Sequence, residues 1–161
     1  MPVNALQRLL DELAGALSEL SPEAYTVRPL APISGSIGEH VRHVLDHIAA
    51  FVHAGYPAVL SYDHRERGTA IETDLDAAIG QVFHLKLVLD HFAARDLDEP
   101  VQVTSKVSSA DSVAGWSTLA RELAFVVSHT IHHQAMIAVL LACHGQAVSD
   151  TFGFAPATPR R

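Results

Sequence analysis

Six of the eleven histidines in this 161-residue chain fall in two short stretches, His40, His43 and His47 in one and His129, His132 and His133 in the other. A neutral imidazole is the commonest protein ligand for divalent transition metals, and it is the one side chain whose unperturbed charge change lies near neutral pH. On a helix each residue turns by about 100°, so His43 lies about 40° to one side of His47 and His40 about 20° to the other, all on one face. His129 and His133, four residues apart, sit about 40° apart and one turn along, which lets both rings converge on one ion. His132 falls about 60° to the far side of His129 and is the weaker candidate. Two nitrogen donors from one helix and a third from a facing helix leave a coordination position for water or substrate, which is the pattern of a catalytic metal site.

A single histidine pair on a helix is commonly structural. Here a second cluster lies in another strongly apolar segment, where an unpaired imidazole nitrogen carries a desolvation cost, and a shared ion removes that cost at several positions together. Imidazole suits zinc, nickel, iron and copper; the expectation is zinc, with nickel or iron(II) as alternatives.

These residues need two long helices to hold them face to face. Leu6, Leu9, Leu10, Leu13, Leu17 and Leu20 keep a helical rhythm from Asn4 to Leu20, with Asn4 and Gln7 as a capping box. After a loop punctuated by Pro29, Pro32 and Gly35, Ser36 and Glu39 form a capping box for a second helix to about Ala54. The polar stretch from Ser61 to Gly68 reads as an ordered surface loop. Thr73 and Asp74 open a third helix to about Arg95, with a buried stripe that includes Val82, Phe83, Leu85, Leu87, Leu89 and Phe92. Alternation over residues 101–108 predicts a short strand or hairpin. The last long helix follows Ser117 as N-cap and stops before Gly145. Its apolar residues run nearly all round, so it is either central or covered on its second side by a partner, which points to a homodimer. The whole chain, 1–161, reads as one all-α domain: a four-helix bundle with a long crossover.

Composition excludes other classes. Eleven Lys+Arg against 18 Asp+Glu give a net charge of −7, which disfavours a nucleic-acid binder. The one cysteine, Cys143, rules out an intrachain disulfide and a cysteine-only zinc cage, and it reads as a small buried hydrophobe away from the site. The N-terminus lacks the order of a secretory leader, and the apolar run Ile137–Cys143 is short of the roughly 20 residues that cross a bilayer. The expectation is a cytoplasmic protein with no membrane or nucleic-acid partner.

The segments Ser36-Ile37-Gly38-Glu39-His40-Val41-Arg42-His43-Val44-Leu45-Asp46-His47-Ile48, Arg121-Glu122-Leu123 and Ser128-His129-Thr130-Ile131-His132-His133-Gln134 resemble the DinB/YfiT-like family. The resemblance implies a four-helix bundle, commonly dimeric, with a three-histidine metal site. It implies His47, His129 and His133 as the ligands, with His43, one turn earlier, as the alternative to His47. It further implies chemistry on a low-molecular-weight thiol or on water, since activities in the family include thiol S-transfer and thiol-dependent isomerisation.

Other roles follow from the residues. Glu122, seven residues before His129 on the same face, is a candidate to orient a ligand imidazole or act as a base, with a solvated first-turn carboxylate as the plainer reading. Arg65 and Arg67 are candidates to clamp a substrate carboxylate, since guanidinium forks pair with planar anions; a hydrated loop is the alternative. Two functions remain open at this point: a metal-dependent transferase or hydrolase acting on a small molecule, and a non-catalytic metal-binding or scaffold dimer.

Overall fold

A computed structural model of the chain describes residues 3–29, 33–54, 59–63 and 66–159. Among these the protein is mostly helical, with a small three-stranded sheet. Four long helices, α1 (Asn4–Ser18), α3 (Ile37–Val52), α5 (Leu75–Phe92) and α6 (Leu119–Cys143), pack around one core, α1 against α5 and α6, and α3 against α5 and α6. Two short helices, α2 (Pro22–Thr26) and α4 (Ala70–Thr73), lie against α3, and the strands are β1 (Val59–Ser61), β2 (Pro100–Lys106) and β3 (Ser112–Thr118).

Each long helix starts where local chemistry allows it. Ser36 Oγ accepts from the Glu39 amide at 3.2 Å while a Glu39 carboxylate oxygen accepts from the Ser36 amide at 2.8 Å, the reciprocal box expected for α3. Asp74 caps α5 by accepting from the amides of Asp76 and Ala77. Two starts differ from expectation. At α1 the cap position is Val3, 1% exposed in the core and with no side-chain cap, so Asn4 lies inside the helix and the expected Asn4–Gln7 box does not cap it; Gln7 donates to Asp90 on α5 instead. At α6 the cap is Thr118, not Ser117, because the β2–β3 ladder continues to the Pro100–Thr118 pair and keeps the chain extended one residue longer.

The sheet has β2 at its centre, antiparallel to β3 and parallel to β1. The hairpin lies over the expected region, extended to residue 118, whereas β1 was not legible in sequence: Ser61 belongs to it, and the following Tyr62 is 8% exposed instead of lying in a surface loop. A three-residue strand has too few alternations to read, and its parallel pairing depends on a partner some 40 residues later.

On α5 the buried residues are Ala78, Val82, Leu85, Leu89 and Phe92, and Phe83 and Leu87 face outward, because a helix apolar on several sides still offers one face to the core. Cys143 is exposed at the end of α6, not buried. Gly145 has a φ of 73° and ends the helix as expected. By length and composition α6 would suffice to cross a bilayer; here one side is packed against α3 and α1. Beyond it the tail folds back, with Phe152 buried.

Candidate metal centre

α3 and α6 bring the two histidine clusters face to face. Nitrogens of His43, His129 and His133 all lie within 4.8 Å of one another, and each residue is partly buried. His43 Nε2 and His129 Nε2 approach to 3.0 Å, near the roughly 3.3 Å expected between two donors of a tetrahedral zinc held at about 2.0 Å. Three imidazoles, one from α3 and two spaced by one turn on α6, form a donor set that can hold a divalent ion.

The electrostatics suit that use, because a ligand imidazole must be neutral. Burial, reinforced by the neighbouring imidazoles of His129, His40, His132 and His47, pushes His133 down to about 3. Burial also lowers His40 below the ordinary histidine range, opposed by its bond to the Ser34 carbonyl.

The expected residues fall into place unevenly. His129 and His133 are in the cluster; on α3 the residue that joins them is His43, whereas the family resemblance implies His47. His47 is 5% exposed, its Nδ1 donates to the His43 carbonyl at 2.9 Å, and its ring stacks on His129 at 4.0 Å and on Tyr62 at 5.2 Å. His132 is exposed, outside the group, with its ring 5.2 Å from that of His133. His84 and His91 are exposed on α5.

Glu122 is buried, 3% exposed, and so is not a solvated first-turn carboxylate. It accepts from Tyr62 Oη at 3.0 Å, Ser117 Oγ at 2.7 Å and Arg121 at 3.3 Å. Its connection toward the histidines runs through the Tyr62 ring stacked on His47. Burial, reinforced by the Glu122 carboxylate beside it, raises the Tyr62 phenol and keeps it protonated.

A cavity of about 620 Å³ opens beside the cluster, bordered by His40, His43 and His133 and by Arg42, Arg67 and Glu72. Arg67 is exposed at its edge; Arg65 lies outside the described residues. Arg42, 7% exposed, is held between Asp46 and Glu72 at 2.8 Å each, which compensates a buried charge with two carboxylates and ties α4 to α3. A second cavity of about 360 Å³ lies beside the hairpin, with Tyr62, Trp116, Glu122 and Phe125 among its walls.

Sequence reasoning passed over His40 as a partner of His133, Tyr62 and the Arg42–Glu72 pair. Only His40 had a usable signal, since it shares the helical face of His43 and His47. The other two depend on β1 and α4, whose positions no local pattern announces.

The family model of the DinB superfamily matches residues 5–137. A 102-residue stretch, 62% of this chain, is 31% identical to FK506-binding protein 5 of Rhizopus delemar, of which it spans 26%. No solved structure matches the chain.

Proposed function

We propose that this chain, which belongs to the DinB superfamily, is a metal-dependent enzyme that activates a thiol or a water for attack on a small molecule, as an S-transferase or a hydrolase does. The observation that carries this reading is the meeting of the His43, His129 and His133 nitrogens within 4.8 Å of one another beside an open cavity. When bound, a divalent ion lowers the pKa of a coordinated thiol or water and so supplies a nucleophile at neutral pH. Zinc is the ion we propose; nickel and iron(II) suit the same donors.

The chain's own residues have separable tasks in this scheme. His43, His129 and His133 offer neutral nitrogens, and the depressed His133 stays neutral through the physiological range. His43 is favoured over His47 because His43 has a nitrogen within 4.8 Å of those of both His129 and His133; His47, whose Nδ1 donates to a backbone carbonyl and so leaves Nε2 to accept, is the alternative. Arg67, at the cavity edge, is proposed to pair with an anionic group of the substrate. Glu122 is proposed to act from behind, holding Tyr62 against His47. The scaffold reads as a four-helix bundle, with β1 in the connection from α3 to α5 and the β2–β3 hairpin in the connection from α5 to α6. The outward Phe83 and Leu87 of α5 and Val139 of α6 support a homodimer, and an exposed, unpaired thiol at Cys143 supports a cytoplasmic setting.

Elemental analysis of protein purified without a histidine tag tests the reading. We expect close to one zinc per chain in the wild type, loss in His43→Ala, His129→Ala and His133→Ala, and retention in His132→Ala. Retention in His43→Ala with loss in His47→Ala would return the first ligand to His47. Equal metal in every variant, or none in the wild type after zinc loading, would overturn the metal site. Metal sealed by four protein ligands, with no exchangeable position, would favour a non-catalytic metal-binding dimer.

A further inference from the structure

We infer that His40 is a positioning residue that selects which nitrogen of His133 faces the metal, an inference that rests on the three-histidine reading above. His40 Nε2 lies 3.1 Å from the Ser34 carbonyl oxygen, and His40 Nδ1 lies 3.1 Å from His133 Nδ1. A carbonyl oxygen can only accept, so the hydrogen of the first bond sits on His40 Nε2. In a neutral imidazole the other nitrogen is then an acceptor, so His40 Nδ1 receives a hydrogen. His133 must donate it from Nδ1, which leaves the His133 lone pair on Nε2. The direction of one backbone carbonyl is thereby transmitted through two rings to the nitrogen offered to the ion.

The origin of this relay is fixed by the same turn that starts α3. Gly35 has a φ of 93°, in the left-handed region open to glycine, and joins Ser34 to the N-cap Ser36. The reciprocal Ser36–Glu39 bonds hold that turn to the first turn of α3, one residue before His40. His40 itself is 7% exposed, so water competes little for either nitrogen. A metal-bound histidine generally gives its other ring N–H to such a partner, which sets its tautomer and orientation. The usual partner is a carboxylate, a carbonyl or water; here it is a second imidazole whose own tautomer is set by a carbonyl.

The test uses the full-length protein and reads the tautomer directly. Nitrogen-15 NMR of the metal-free wild type at about pH 8, where free imidazoles are neutral, is expected to show His133 protonated on Nδ1. In His40→Ala that preference is expected to disappear, with zinc bound about 10- to 100-fold more weakly, the cost typical of losing a partner behind a ligand. His40→Gln offers an amide oxygen to His133 and an amide N–H to Ser34, and is expected to restore both the tautomer and most of the affinity. A wild-type His133 protonated on Nε2 would overturn the relay, as would a His40→Ala protein with unchanged tautomer and unchanged zinc affinity. If His40→Ala fails to fold, the wild-type spectrum and His40→Gln still decide. Should the wild type show the expected tautomer yet bind no zinc, the relay stands and the metal reading falls.

Discussion

The same substitution, glycine to alanine, should have opposite effects at two helical positions. At Gly38, in the first turn of α3, an added Cβ would lie 2.1 Å from the Glu72 carbonyl oxygen and 2.9 Å from Tyr25 Cε1. Ordinary contact begins at 3.4 Å, so the carbonyl would have to retreat by about 1.3 Å. It cannot do so alone, because Glu72 belongs to α4, Tyr25 Oη donates to the Ile71 carbonyl at 2.6 Å, and the Glu72 carboxylate holds Arg42 at 2.8 Å. Overpacking of this kind costs about 1–3 kcal/mol, and the backbone clash puts Gly38→Ala at the upper end, about 3 kcal/mol. At roughly 2–4 °C per kcal/mol for a chain near this size, Tm should fall by about 6–12 °C. At Gly80, exposed in the middle of α5, nothing lies within 4 Å of the new methyl. Gly80→Ala should therefore gain about 0.5–1 kcal/mol from reduced unfolded-state freedom and raise Tm by a few degrees. Thermal denaturation followed by circular dichroism at fixed protein and metal concentration reads both. A Gly38→Ala protein melting within 2 °C of the wild type would refute the close approach of α4 to α3, and with it the wall that Glu72 gives the cavity. A Gly80→Ala protein that melts lower would refute the open surface there.

Other substitutions probe the supports of the site. Glu122→Ala removes the acceptor of Tyr62 and Ser117 from a buried position, and at about 1–3 kcal/mol for stranded hydrogen-bonding groups it should cost about 2–4 kcal/mol, read as a lowered denaturant midpoint with an unchanged slope. Ser36→Ala should cost about 1 kcal/mol through loss of the α3 cap, and an unchanged midpoint would deny the capping box an energetic role. Glu39 is held below the ordinary carboxylate range, first by the Ser36 amide and then by Arg28. The unfolded chain therefore binds this proton more readily, so the contribution is present above the ordinary carboxylate range and is lost as pH falls through the folded-state value. Urea melts across the acid range should show a weaker acid-side decline in Glu39→Gln; parallel curves would show that Glu39 does not contribute. His132→Ala should leave both zinc content and Tm close to wild type, because that side chain is exposed and outside the ligand group.

The local signals in the sequence were sufficient wherever a single segment decides the outcome. The Ser36–Glu39 box, the Asp74 cap, the left-handed Gly145 and the one-turn spacing of His129 and His133 each depend on residues within a few positions of one another, and each appears as expected. Family membership was legible for the same reason, because the marker segments are local and ordered along the chain.

Tertiary structure decided what depends on residues far apart. Helical periodicity puts His40, His43 and His47 on one face, but which of their nitrogens come within reach of His129 and His133 depends on the height at which α3 meets α6, and that is set by packing across the core. It brings His43 Nε2 to 3.0 Å from His129 Nε2 and stacks the His47 ring on those of His129 and Tyr62. The burial of Glu122 required β3 and Tyr62 to close over it, and the bond between His40 and His133 spans 93 positions of sequence. A sequence states which side chains share a face; the distance between two faces comes from the sum of many contacts, none of them local, and so it exists only in the folded chain.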